Sequence, residues 1–475
     1  MNRKYCFPIV CLCYMLASCG PQQSNKHKMK DEALVADTSI VQTIEDAYIY
    51  GLPLVLMDIT RRQMTDPSAG ALYSPPNQFR HNADFPDASF KNVVRPNADT
   101  YYSIAWLDLS GEPVVLSLPD SKGRYYMMPM MDAYSNVFAS PGTRTTGNSG
   151  GSYLISGPGW KGHIPAAMKH IQSPTNTVWI IGRTQVNGKE DGVKNVVPLQ
   201  RQYKLLPLSA WGKTYAVPQT DSDPSTPKGD PNAIVKGMSL QEYLNYVNKL
   251  MDKNPPQTAD SSVIKRFALF GIGAGKTFDA NSLLEEAREA VNDIPKKVFA
   301  ALDSQKVGPA KLINGWNLGR TVIGTYGTDY YSRASTAYFG LGANLREDAI
   351  YPSCYVDADG NPLNGNNKYM LHFEKGKTPP ANAFWSLTMY DPDGYFVDNP
   401  INRYTLGDRS NLKVNEDKAI DIYIQKDNPG KDIEANWLPA PEGSFNLLLR
   451  VYWPKEEMIN RRWNPPTVIK VNKDH

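Results

Sequence analysis

Cysteine is what this chain is shortest of. Four of its five cysteines, Cys6, Cys11, Cys13 and Cys19, crowd the extreme N-terminus, and only Cys354 lies beyond them. A single downstream thiol excludes an internal disulfide framework and any CxxC or Cys/His zinc site. An excess of one charge is missing too: 51 basic against 48 acidic residues leave +3, which predicts neither nucleic acid nor an acidic polymer as partner. No Gly-x-Ser-x-Gly elbow and no His-Glu-x-x-His occurs, so the commonest hydrolase signatures are absent. What is abundant is Tyr (27), Pro (37) and Gly (35), a composition of short strands and turns.

The N-terminus carries the most specific local pattern. Arg3 and Lys4 precede an apolar run from Tyr5 to Ala17 that is too short for a bilayer-spanning helix of about 20 residues. Leu16-Ala17-Ser18-Cys19 then follows, similar to a bacterial lipobox. Residues 1–18 therefore read as a lipoprotein signal peptide, Cys19 as the lipidated residue and 19–38 as a flexible polar tether. The expected location is the cell envelope, with a membrane as partner through the lipid anchor. Gly20 in place of an Asp favours the outer membrane, at its periplasmic face or at the cell surface.

Downstream, residues 39–215 read as a helix followed by a β-sandwich. Ile44, Ala47, Tyr48, Gly51, Leu54 and Val55 recur at helical spacing, and Pro53 is expected to break or kink the run. Strands are predicted at Tyr101–Leu109, Val114–Leu118 and Arg124–Met131, with turns at 110–113 and 120–123, as one antiparallel meander. Further strands follow at Tyr153–Ser156 and Val178–Arg183. Residues 216–341 form a connector and a helical subdomain, with capping boxes at Ser239–Glu242 and Ser282–Glu285 and a helix over Asp329–Tyr338. Strand patterns return in 342–475. The fold class is mainly β with an α-helical insertion: an N-terminal immunoglobulin-like β-sandwich and a C-terminal jelly-roll-like β-sandwich.

Two loops mimic ligand motifs and fail. Gly271-Ile-Gly273-Ala-Gly275-Lys276-Thr277 has Phe270 where a phosphate loop needs its first Gly. Asp357-Ala-Asp359-Gly360-Asn361 places its Gly fourth rather than sixth for a calcium loop and reads as a hairpin turn. The polar constellation in residues 93–147 is more promising. Asn97, Asp99 and Tyr101 lead into one strand, and Asp132, Tyr134 and Asn136 leave another. Two carboxylates in one cleft can divide acid and base roles, or hold a divalent metal with His81, although no cofactor is evident. The plainer alternative makes Asn97 and Asp99 caps of a strand entrance and His81 a loop residue. Arg144, in a Gly/Thr-rich loop, suits an anion clamp or an ion pair with Asp132. In the C-terminal part, alternation puts Phe384, Ser386, Thr388 and Tyr390 on one strand face and Trp385, Leu387 and Met389 on the other. Trp385 with Arg403 could stack on and hydrogen-bond a sugar, or simply fill the core.

At these motifs the chain resembles a family in which domain of unknown function 1254 is followed by domain of unknown function 1214. The resemblance rests on Ala47–Gly51, Asn97–Tyr101, Gly123–Tyr126, Asp132–Asn136 and Gly142–Gly147, then on Phe384–Tyr390, Asn399-Pro400, Arg403-Tyr404, Asn436–Pro439 and Arg450–Tyr452. It implies a sandwich, a helical subdomain and a jelly roll, and supplies no settled activity. The sequence thus supports a lipid-anchored envelope protein binding a small polar or sugar-like ligand in a cleft of the N-terminal β domain. Its rival is an envelope hydrolase or lyase using Asp99 and Asp132. Monomer and oligomer are both compatible with the sequence.

Overall fold

The computed structural model describes residues 23–91, 94–307 and 311–471, with backbone alone for 23–38 and 306–307. The signal segment and Cys19 lie outside the described residues. A long helix, α1 (Gln23–Met64), begins inside the segment read as a tether and runs on through Pro53. Its buried side chains, Ile44, Tyr48, Leu52, Val55 and Ile59 among them, form one core with the helical insertion. Burial on several sides offsets the hydrogen bond that Pro53 removes.

The strands in chain order are β1 (Arg80–His81), β2 (Thr100–Asp108), β3 (Val114–Leu118), β4 (Tyr126–Met127), β5 (Met130–Met131), β6 (Val137–Ala139), β7 (Gly151–Ser156), β8 (Met168–Gln172), β9 (Thr177–Gln185) and β10 (Lys204–Pro207). After the helical insertion come β11 (Trp316–Asn317), β12 (Ala349–Ile350), β13 (Ser353–Cys354), β14 (Lys368–Phe373), β15 (Ala381–Tyr390), β16 (Thr405–Gly407), β17 (Ile420–Gln425), β18 (Trp437–Pro439), β19 (Asn446–Pro454) and β20 (Val468–Val471). They make four sheets, ordered β1-β2-β9-β5-β6 with β4 also on β9, β10-β3-β7-β8, β11-β13-β19-β15-β16 with β12 also on β19, and β18-β17-β14-β20.

The expected meander is not formed. β2 pairs with β9, far along the chain, whereas β3 lies in the other sheet between β7 and β10. The reason is apolarity on the facing sides: Ala105 and Leu107 of β2 and Leu116 and Leu118 near them share one core. The 110–113 segment is an arch between sheets, since a hairpin would have left one of those faces in water. The C-terminal half repeats the plan, with Trp385, Leu387, Leu449 and Val451 packed against Leu371, Phe373, Ile422 and Ile424.

In the insertion, the Leu240–Lys253 helix opens with both bonds of the expected capping box, Ser239 and Glu242 exchanging side-chain and backbone contacts. The second box does not form. Ser282 donates to the Asp279 carbonyl in a 3₁₀ turn, and the Glu285–Asn292 helix starts after it without a side-chain cap. Pro295 then sits in the first turn of the separate helix Ile294–Val307, where its missing N–H costs nothing. The phosphate-loop mimic is tied down instead: Asn248 takes the Gly273 N–H and donates to the Gly271 and Lys276 carbonyls.

Candidate functional site

The strand pair β2–β9 organises the site because its two faces differ. Tyr101, Ser103, Ala105 and Leu107 point toward β3 and β7, whereas Tyr102, Ile104 and Trp106 point outward, beside their cross-strand partners Arg183, Ile181 and Trp179. Gly342, from the segment joining insertion and C-terminal half, lies directly on this outer face. A Cβ there would stand 2.6 Å from Ile181 Cδ1, and the residue's φ of +90° also favours glycine.

At the Arg183 end, the polar face of the β15–β19 pair docks onto the chain entering β2. Asn97 accepts the Asp99 N–H at 2.7 Å and donates to Tyr452 Oη (2.7 Å) and Tyr102 Oη (3.2 Å). Asp99 is fully buried; Ser386 Oγ donates to it at 2.6 Å and Arg409 forms an ion pair with it. Arg409 Nη1 also reaches the Val186 carbonyl at 2.6 Å, and its guanidinium lies 4.1 Å from the Phe384 ring centroid. Arg450, paired opposite Ser386, donates to Thr388 (2.7 Å), Tyr390 (2.5 Å) and the Pro96 carbonyl (3.2 Å). The expected alternation along β15 therefore holds: Trp385 fills the core beside Phe373, and the Phe384–Tyr390 face meets the N-terminal half.

Asp132 is elsewhere. It follows Met131, which pairs with Trp179 at the far end of β9 from Gln185, the partner of Thr100. At ~3.3 Å per residue the two carboxylates stand about 25 Å apart. The paired-carboxylate reading is thereby corrected, and so is the metal set with His81. Among the described residues no cluster of three or more His, Cys, Asp or Glu could hold a metal ion. Asp132 is a buried turn anchor that accepts from the Tyr134 and Asn136 N–H groups (2.9 Å each), from Asn136 Nδ2 and from Gln257 (3.0 Å). Burial pushes its pKa up against these bonds. Tyr134 Oη donates to the Asn254 carbonyl, and its ring lies 5.4 Å from the Arg333 guanidinium.

The other nominated residues are also structural. Tyr101 is buried against Phe85, Val186 and Val196. His81 meets Ser103 Oγ at 2.9 Å and stacks on Phe79; burial, then the Arg80 charge, lowers its pKa to about 4 and keeps it neutral. Arg144 pairs not with Asp132 but with Asp348 at 2.7 Å, whose other oxygen accepts from Ser140. Arg403 staples the Glu434 and Trp437 carbonyls. The nominated calcium-loop mimic is a turn closed on Asp357 Oδ1.

What spacing along the chain did not reveal is a cavity of about 340 Å³ beside the seam, lined by Arg95, Arg183, Arg320, Arg346, Asn344 and Tyr351 together with aliphatic carbon, and by no carboxylate. Among the described residues none of the four arginines has an ion-pair partner. Arg346 donates to the Arg320 and Ile459 carbonyls, Arg320 to Gln305 and Ser335, and Arg95 to Tyr355. Arg183 is buried and its Nη1 has no hydrogen-bond partner. A second cavity of about 390 Å³ opens at the other end of the same face. There Asp58, Asp108 and Asp223 share the wall with Arg61, Arg62 and two lysines, and Arg61–Asp58 (2.7 Å) and Arg62–Asp223 (3.4 Å) are paired.

Residues 76–207 match the family described as Protein of unknown function (DUF1254), and residues 348–456 match Protein of unknown function (DUF1214), so the chain carries the two domains in that order. No curated protein matches it. The crystal structure of the VPA0106 protein from Vibrio parahaemolyticus is similar over 91% of this chain and all of that one, at 26% identity and a TM-score of 0.70. An uncharacterised protein from Burkholderia cenocepacia aligns over 93% of this chain and 97% of its own at 11% identity, with a TM-score of 0.43. The chain is mainly β, in four sheets with added helices, and shares its fold with the Vibrio protein.

Proposed function

We propose that this protein binds a small carboxylic acid in the arginine-lined cavity at the seam between its two β halves. One observation carries the reading: the wall of this cavity holds four guanidiniums, among them the buried fixed cation of Arg183, and no acid. Clustered cations without a counter-charge cost solvation and mutual repulsion, and an incoming anionic oxygen relieves both. Leu318, Ile323 and Ile350 on the same wall suit the carbon skeleton, and the volume suits a small molecule. The ligand is thus an acid rather than a sugar, and the site is the seam rather than a cleft of the N-terminal half alone.

Thermal-shift screening tests this. A carboxylate present at 100 times its Kd adds about 2.7 kcal/mol of stability, and neutral sugars leave the melting temperature unchanged. Stabilisation by sugars with none by acids would refute the reading. The two β halves are read as immunoglobulin-like and jelly-roll-like sandwiches. Lipidation at Cys19 is proposed to hold the protein at the envelope. Fatty-acid labelling that persists in Cys19→Ser would remove the anchor from the account.

A further inference from the structure

The guanidiniums on the cavity wall come from separate stretches of chain. Arg320 and Arg346 flank the helix Tyr330–Gly340 and are tied together, Arg346 Nη1 donating to the Arg320 carbonyl at 2.6 Å. Arg95 and Arg183 belong to the N-terminal half. Arg183 is buried on β9, whereas Arg95, on the chain entering β2, is exposed and so stands at the cavity's mouth. Arg95 is held there against its backbone preference. Its φ is +54°, a conformation that residues other than glycine seldom adopt, and Pro96 behind it narrows the choice further. Its N–H donates to the Gly394 carbonyl at 2.7 Å, its carbonyl accepts from Arg450 Nη2 at 3.1 Å, and its side chain donates to Tyr355 Oη. Leu318, Ile323 and Ile350 make up other parts of the wall. A fifth guanidinium, Arg461, donates to the carbonyl of the wall residue Gly319 at 2.8 Å. Burial, then the Arg461 charge, lowers the pKa of Arg346, and Glu347 offsets this only in part.

We propose that the ligand of this cavity is a dicarboxylic acid, with one carboxylate held inside among Arg183, Arg320 and Arg346, the other held by Arg95 at the mouth, and the carbon chain against the aliphatic residues. The inference rests on the anion-binding reading and names the class of acid. A monocarboxylate cancels one positive charge of the four and leaves the rest facing one another. A compact dianion meets one group of guanidiniums and leaves the aliphatic wall uncovered. A dicarboxylate supplies two charges and covers the carbon between them. Arginine suits both ends, because its planar fork donates to the two oxygens of one carboxylate. The exposed position of Arg95 lets the second carboxylate bind without being fully stripped of water, so the cost of burying charge falls on one end only.

The test is titration calorimetry of the full chain with succinate, glutarate, adipate and suberate, each set against butyrate, and with inorganic phosphate as the compact dianion. The best diacid should bind about 10- to 100-fold more tightly than butyrate, as one further charge-assisted contact allows, and more tightly than phosphate. Arg95→Gln, a change at an exposed side chain, should bring that diacid to within about threefold of butyrate. Diacids that bind no better than butyrate, phosphate that equals the best diacid, or a diacid preference that Arg95→Gln leaves intact overturns the dicarboxylate assignment alone. Failure of the wild-type protein to bind any of these anions overturns the anion reading and this inference with it.

Discussion

Two cavities of similar size, about 340 and 390 Å³, lie at opposite ends of the outer face of one strand pair, and they treat charge in opposite ways. In the larger, arginines and aspartates are paired with one another and Tyr246 adds a hydrogen bond to Asp58 at 2.5 Å. In the smaller, four guanidiniums are held by carbonyls, hydroxyls and an amide, and nothing on the wall neutralises them. Size therefore does not distinguish a ligand site here. A cluster of cations without acids costs solvation and mutual repulsion on every molecule folded, and an anionic ligand is what would relieve it.

The comparison can be broken in three ways. The largest effect is expected where the seam itself is held. Asp99→Asn leaves Arg409 without its partner at a fully buried position and should cost about 3–5 kcal/mol in denaturant unfolding. Asp58→Asn at the paired cavity, where Arg61 is one third exposed, should cost about 1 kcal/mol or less. Equal costs would mean that the two ends are not built differently. Next is affinity: Arg183→Gln should weaken binding of a stabilising carboxylate by about 10- to 100-fold, the loss of one charge-assisted hydrogen bond of about 1.5–3 kcal/mol. Arg62→Gln should leave that affinity unchanged.

The smallest effect is a pH response. Burial raises the pKa of Asp408, beside Arg409 and Asp99, to about 6. Its folded value lies above the unfolded one, so the folded state takes the proton first. Stability from this group is gained as pH falls from about 6 toward 4, and the penalty is fully present above 6. Asp408→Asn should therefore raise the melting temperature above about pH 7 and lose that advantage below about pH 4. Over the same interval neutral His81, with its pKa lowered to about 4, works in the opposite direction: the unfolded chain takes its proton first, and stability falls as pH drops below about 6.5.

How much of this was legible in the sequence depends on the range of each contact. The Ser239–Glu242 box and the two faces of β15 are local patterns, and both formed as read. Asn97 and Asp99 were read as candidate ligand-binding residues, whereas their partners in the fold, Ser386, Arg409 and Tyr452, come from nearly 300 residues or more away, which no spacing encodes. Asp132 looked equivalent to Asp99 because both are acids at strand ends. Only the pairing of β5 with β9 shows that the ends are opposite ones. The cavity arginines were missed because each sits alone in its own stretch. Only Arg183 carried a local hint, as a charged residue within the apolar run Val178–Gly182 that should otherwise stay dry.

The most direct measurement is an anomalous-difference map from crystals of the protein soaked in selenate, a heavy-atom oxyanion that stands in for a carboxylate. The account predicts a peak inside the cavity lined by Arg95, Arg183, Arg320 and Arg346 and none between Arg61 and Arg62. Peaks confined to surface lysines, or at the Arg61–Arg62 cavity with the Arg183 cavity empty, would contradict it.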